Sequence, residues 1–234
     1  MCLLLETIRI ENGLIRNLKY HQARMNQARK ELFNIPEPLD LDKIIRTYTG
    51  SKGIRPQWAA NLQSVETGIK NPSAPAFQIA NLKKQKERTI FKCRITYAKH
   101  IEKIEFLPYQ IPTISSLKLV INDEIDYSYK FSDRSQLNTL YEKRGDSDDI
   151  LIVKHGLITD TSYANVLFYN GKEWLTPTHP LLKGTQRARL LDQEIIRVAE
   201  IRLEDLHHFK KARLINAMIC FEDALDINIL NIHS

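Results

Sequence analysis

The chain has 234 residues, enough to bury a sizeable core as one large domain or two smaller ones. With 43% hydrophobic and 26% charged residues and no low-complexity tract, its composition is ordinary globular, and no apolar run nears the roughly 18 residues of a membrane span. The net charge of +6 is scattered rather than gathered into a basic run interleaved with aromatics. That pattern suits a small anionic ligand, a phosphate or a carboxylate, and gives no footprint for nucleic acid. Cys2, Cys93 and Cys220 are far apart and odd in number, which argues against a zinc site or a disulfide framework and for reduced thiols. The apolar start, Met1 to Leu5, is too short for a signal peptide, so a cytoplasmic protein is expected.

In chain order, Leu3 to Ile10 predicts a strand, Glu11-Asn12-Gly13 a turn, and Leu14 to Leu18 a return strand. A helix follows from about Asn17 to Phe33, with Leu18, Met25, Ala28 and Leu32 near helical spacing and Arg24 and Arg29 on other faces. Asn34 to Pro38 breaks it, and Asp40 caps a second helix over Leu41 to Tyr48. From about 50 to 86 glycines and prolines interrupt both periods, which predicts a long connection or insertion. Thr89 to Tyr97 and Glu102 to Tyr109 form an antiparallel pair, and Pro108 and Pro112 mark a boundary between a small domain, 1–110, and a larger one, 111–234. In the second half Ser116 to Ile121, Ile150 to Val153, Leu157 to Thr161, Ala164 to Tyr169 and Trp174 to Pro177 predict strands, with turns at Gly156 and Asn170-Gly171. Helices are expected over Arg134 to Tyr141 and Ala188 to Glu200, the latter with Leu190, Leu191, Ile195 and Val198 toward a core. The fold class is α+β, with clustered strands, no regular βαβ alternation and no internal repeat.

Three groups of residues could carry chemistry. Gly184-Thr185-Gln186 opens a helix, where glycine admits close approach and free N–H groups favour an anion; a plain turn capped by Thr185 is the alternative. Thr159 to Asn165 is hydroxyl-rich between two apolar strands, so its polar groups need one another or a ligand. Within it Asp160, if buried, requires a cation such as a protonated ring nitrogen. His21 and Arg24 lie three apart on one helix face, where Arg24 could clamp a phosphate or merely face solvent. No Ser-His-Asp arrangement, metal-spaced cluster or Walker-type loop is present. Lys130, in Tyr129-Lys130-Phe131-Ser132-Asp133-Arg134, has the neighbours of an active amine only if these groups converge. An aldehyde for Lys130, a ring nitrogen for Asp160 and a phosphate for Arg24 and the Gly184 turn describe one molecule, pyridoxal 5'-phosphate.

On Glu6 to Arg9, Tyr20 to Met25, Lys130 to Arg134, Gly156 to Asp160, Ala164 to Phe168, Trp174 to Pro177, Leu182 to Arg187 and Asn216-Ala217-Met218, the sequence resembles the class IV aminotransferases. These are the fold-type IV pyridoxal-phosphate enzymes, among them branched-chain and D-amino-acid aminotransferases and aminodeoxychorismate lyases. The resemblance implies a two-domain α+β fold and a homodimer acting on a small amino substrate. It makes Lys130 the Schiff-base lysine and general base, and Arg24 a phosphate ligand beside Gly184 and the amides of Thr185 and Gln186. Asp160 stands where the family usually has a glutamate against the ring nitrogen, and Asn216 joins the cofactor-binding set. The Lys130–Arg134 pattern and the Asn216-Ala217-Met218 segment look closer to the lyases, which eliminate pyruvate to leave an aromatic amine; a cofactor-binding relative with a regulatory role is the alternative. The match begins almost at Glu6, so the family's usual preceding strand is expected to be missing. The family's Arg-Gly pair for substrate carboxylate has no counterpart near Tyr97, and Arg94 and His100 are the candidate substitutes.

Overall fold

The computed structural model describes residues 2–51 and 89–234. The alternating run at the start becomes β1 (Leu4–Glu11), which turns through Asn12 and Gly13, both at positive φ, into the short β2 (Leu14–Ile15). Paired positive φ values at an Asn-Gly step are what a tight hairpin needs to match strand twist. The return strand stops three residues short of the expected Leu18, because Asn17 adopts the left-handed conformation and starts α1 (Leu18–Phe33). Helix α1 ends at Asn34, also left-handed, and α2 (Leu41–Ser51) begins where Asp40 accepts from the Lys43 amide at 3.0 Å. The connection expected at 50–86 lies outside the described residues from position 52 onward.

Strands β3 (Ile90–Tyr97) and β4 (Ile101–Pro108) complete a four-stranded antiparallel sheet in the order β2-β1-β3-β4. On one face Leu4, Ile8 and Ile10 of β1 meet Met25 and Ala28 of α1 and Leu41 and Ile45 of α2 in a single core. Two expectations for α1 fail here. Leu32 is 38% exposed, while Arg29 is buried and donates to the Lys99 and Glu37 carbonyls, so a cation replaces a leucine on the inner face.

The rest of the chain builds a nine-stranded sheet ordered β10-β9-β8-β7-β6-β5-β13, with β11 on β8 and β12 on β11. Its strands are β5 (Leu117–Ile121), β6 (Asp149–Lys154), β7 (Leu157–Thr161), β8 (Asn165–Tyr169), β9 (Trp174–Pro177), β10 (Ile196–Ala199), β11 (Lys211–Ile215), β12 (Asp226–Asn228) and β13 (Ile232–His233). Helix α3 (Ser135–Tyr141) follows the Lys130 segment, and α4 (Thr185–Asp192) follows Gly184. The helix expected over Ala188 to Glu200 is half wrong. It starts earlier, at Thr185, and ends at Asp192; Glu194 then takes φ 55°, and Ile196–Ala199 leaves as β10, parallel to β9. The β-branched residues Ile195, Ile196 and Val198 favour the strand, and Ile195 and Val198 are exposed rather than in the core.

Two features place the site. Where β6 runs antiparallel to β7, the pairing jumps from Leu151↔Thr161 to Val153↔Ile158, so β7 carries one extra residue around Asp160. Such a bulge re-aims a side chain out of the regular alternation. The Lys130 segment lies along the start of β1: the Leu5 amide donates to the Lys130 carbonyl and the Ser132 amide to the Leu3 carbonyl, each at 2.8 Å. With Phe131 packed into the core, the pleat turns its neighbour Lys130 the other way.

The outer face of β1 is also anchored. Arg9 is fully buried, and its guanidinium donates to Asp223 Oδ2 (2.6 Å), Glu11 Oε1 (3.1 Å) and the Met218 carbonyl (2.8 Å). This cluster ties β1 to the 216–223 turn. Removing one member of a buried ionic cluster leaves the others uncompensated, at a cost of about 3–5 kcal/mol. Arg9→Met is expected to lower the unfolding free energy by about 3 kcal/mol in urea titrations, whereas a loss below about 1 kcal/mol would contradict this role.

Candidate active site

Between the two sheets lies a cleft of about 600 Å³, its open mouth included. It is lined by Arg24 from α1, Tyr127, Lys130 and Arg134 from the segment before α3, and Asp160 to Asn165 from the β7–β8 connection. Gly184 and Thr185 at the start of α4, and Asn216 and Ala217, complete it. Of the residues singled out in the sequence, Arg24, Lys130, Asp160, Gly184, Thr185 and Asn216 thus share one cavity. Gln186 is not among the lining residues: its side chain is fully buried and accepts from Asn17 Nδ2 at 2.7 Å, so only its backbone can serve the cleft. Asn216 spends its carboxamide on the turn, accepting from the Met218 and Ile219 amides. Arg94 and His100 do not line the cleft.

Lys130 reaches the cleft as a half-buried side chain. Burial, reinforced by the charges of Arg24 and Arg134 and only partly offset by Glu6, brings its amine down to about 8. A desolvated lysine beside other cations is the usual way to obtain a neutral nucleophilic amine near physiological pH. Asp160 moves the other way: burial raises its carboxyl to about 6, although the Asn165 side chain, the Leu182 amide and the Arg187 charge oppose this. Its Oδ1 accepts from Asn165 Nδ2 and its Oδ2 from the Leu182 amide, both at 2.9 Å. These bonds aim the group without bringing a cation into contact with it, and a positively charged ring nitrogen would complement it.

Arg24 does not stand free. Its Nε and one terminal nitrogen donate to both oxygens of Glu6 at 2.8 and 2.7 Å. Glu6 also meets His21 Nδ1 at 2.6 Å, and His21 Nε2 lies 3.3 Å from Thr185 Oγ1. Burial pushes Glu6 up, but the Arg24 charge and the His21 bond outweigh it and hold the carboxyl at about 2. A carboxylate can only accept, so His21 carries its proton on Nδ1 and offers Nε2 to the Thr185 hydroxyl. Burial lowers His21, which keeps the ring neutral.

The donor set fits pyridoxal phosphate. Thr185 and Gln186 supply unpaired N–H groups at the start of α4, the natural seat of a phosphate, with Arg24 lining the same cleft. Gly184 is required by packing: a Cβ there would collide with Asn165 Oδ1, the residue that positions Asp160. Among the described residues no cluster of three metal-ligating side chains occurs, and no helix is long and apolar enough to cross a membrane.

Glu6 and Asn165 lie in stretches singled out in the sequence, Glu6 to Arg9 and Thr159 to Asn165, but their own roles were not read there. Asp160 and Asn165 are register partners across β7 and β8, a pairing implied by the two expected strands and the four residues between them. Glu6 breaks an otherwise apolar inward face, Leu4, Ile8 and Ile10, which signals a buried carboxylate in need of a cation.

The amino-transferase class IV family pattern matches residues 133–222. The chain is 35% identical over 215 residues to an uncharacterized protein of Haemophilus influenzae, covering 92% of this chain and 97% of that one. It is 36% identical to a candidate 4-amino-4-deoxychorismate lyase of Haemophilus somnus 129PT solved by crystallography, with a TM-score of 0.74 over 93% of this chain and 97% of that one. A hypothetical aminotransferase of Mycobacterium tuberculosis, solved in a PLP-bound form, shares the fold with a TM-score of 0.65 at 16% identity, covering 96% and 80%.

With its amine at about 8, Lys130 is mostly protonated below that pH and free above it. Acylation of Lys130 in the cofactor-free protein, followed by peptide mass, is expected to rise with a midpoint near pH 8. A midpoint near the 10.4 of an ordinary lysine would contradict the desolvated environment.

Proposed function

Because the chain belongs to the class IV aminotransferase family, we propose that it is a pyridoxal-phosphate enzyme working through Lys130, with 4-amino-4-deoxychorismate lyase activity. The observation that carries the cofactor reading is the meeting, in one cleft, of an amine lowered to about 8 and a buried carboxyl raised to about 6. Opposite displacements of two titratable groups in one cavity are the pattern of paired acid and base roles.

When bound, pyridoxal 5'-phosphate supplies an aldehyde for amines and a ring that accepts negative charge from the substrate carbon. Arg24, Thr185 and the α4 amides would hold its phosphate. Asp160, kept in place by Asn165 and the Leu182 amide, would face the ring nitrogen and favour its protonated form. Lys130 would supply the amine for the aldehyde and a base for a proton at the substrate carbon. The 161–164 turn walls the cleft against water with Tyr163 and Ala164. Support for the lyase over transamination comes from the similarity to the H. somnus protein along nearly the whole chain and from the Lys130-x-x-Asp133-Arg134 pattern. The same reading keeps 1–110 and 111–234 as two domains with the cofactor between them, in a cytoplasmic homodimer.

Purified protein loaded with the cofactor and given 4-amino-4-deoxychorismate is expected to release p-aminobenzoate and pyruvate, and Lys130→Ala to fall to background. Turnover of an amino-donor panel without p-aminobenzoate would overturn the lyase assignment in favour of transamination.

A further inference from the structure

His21 is fully buried on α1, behind the wall of the cleft. Glu6 of β1 meets its Nδ1 at 2.6 Å, and Thr185 at the start of α4, which does line the cleft, meets its Nε2 at 3.3 Å. The charges acting on the ring are those of Glu6, of Arg24 on its own helix and of Lys130 from the segment before α3. Tyr97 of β3 is the further titratable neighbour, close enough for Glu6 and Arg24 to act on its phenol.

The protons around this ring can be counted. Glu6 is ionised and only accepts, so the Nδ1 proton of His21 is committed to it. Nε2 is then an acceptor, and its partner is the Thr185 hydroxyl. A hydroxyl has one proton. While that proton points at His21, Thr185 Oγ1 offers the cleft only lone pairs, the wrong polarity for an oxyanion. Were the hydroxyl to turn toward an anion with no other change, Nε2 would be left as a buried acceptor without a donor. Both demands are met in one arrangement: Nε2 gains a proton and donates to Thr185 Oγ1, and Thr185 donates its own proton to the anion. The ring then carries a positive charge between the Glu6 carboxylate and the anion, and these opposite charges offset the cost of its burial. We propose that His21 is a positioning residue for the anion: it accepts the Thr185 proton until a tetrahedral dianion binds, then takes one proton from solvent so that Thr185 donates to the dianion. The inference rests on the cofactor reading above, which brings a phosphate to the start of α4. It makes anion binding a proton-consuming event and gives His21 a duty beyond its contact with Glu6.

The test uses the full chain without cofactor, carrying nitrogen-labelled histidine, and adds sulfate, a dianion whose own protonation does not change near neutral pH. Nitrogen magnetic resonance separates a protonated from an unprotonated ring nitrogen, and His21→Gln identifies the His21 signals among the 7 histidines. Before sulfate, His21 is expected to show one nitrogen of each kind; at saturating sulfate both are protonated. Thr185→Val keeps the α4 amides, weakens sulfate about tenfold, the weight of a charge-assisted bond, and leaves the His21 ring neutral. Thr185→Ala gives the same result and carries the test if the valine variant does not fold, and Thr185→Ser restores both affinity and ring protonation. Saturable sulfate binding with an unchanged His21 ring would overturn the proposal alone and leave His21 as a support for Glu6. So would protonation of His21 by sulfate in Thr185→Val, which would show a charge effect that bypasses the hydroxyl. A wild type that binds no sulfate displaceable by pyridoxal 5'-phosphate would overturn the anion cradle, and with it both the cofactor reading and this proposal.

Discussion

Glu6 occupies a position where the alternation of β1 calls for an aliphatic residue, and it is completely buried. A carboxylate there costs several kcal/mol of desolvation unless paired and hydrogen-bonded. Arg24 and His21, three residues apart on α1, meet that demand from the helix, and His21 passes the contact on to Thr185 of α4. One buried charge thus joins the small sheet, the helix on it and the start of α4. The same bonds fix Arg24 against the cleft and leave Lys130 with a neighbouring cation whose charge is only partly cancelled.

The environments of Lys130 and Asp160 follow from this frame. Asp160 is buried and Lys130 half-buried beside other cations, so each resists its charged form: the amine falls and the carboxyl rises. The consequences for stability have opposite locations. Between about pH 4 and 6 the folded protein holds a proton on Asp160 that the unfolded chain has lost, so the contribution of Asp160 is lost as pH rises through 6. Lys130 penalises the fold below about 8, and the penalty lifts as the pH rises from 8 toward the unfolded value. A ligand carrying an aldehyde and a ring cation, as proposed above, would relieve both penalties together.

Much of this was legible from local patterns. Alternation located β1, β3, β4 and most strands of the larger sheet, and Asn-Gly, Asn-Ile-Pro and Gly184 signalled turns and helix ends that the backbone confirms. Local pattern failed where tertiary pairing decided the outcome. The Ile195–Val198 stretch carries a helical spacing as well as β-branched residues, and pairing with the parallel strand β9 selects the strand. Arg29 reads as a surface cation until the Lys99 and Glu37 carbonyls are seen above it. In the cleft, Arg24, Lys130, Asp160 and Gly184 could be named one at a time because each residue type suits one part of a single ligand. Glu6 could not be assigned to Arg24, since nothing in the sequence states which helix covers the inner face of β1.

On the function proposed above, Lys130 and no other amine carries the cofactor. Reduction of the cofactor-loaded protein with borohydride, followed by peptide mass mapping, tests this most directly. A single modified peptide with the added mass on Lys130 is expected, and none in Lys130→Ala. Modification at another lysine, or unaltered labelling of the Lys130→Ala variant, would contradict it.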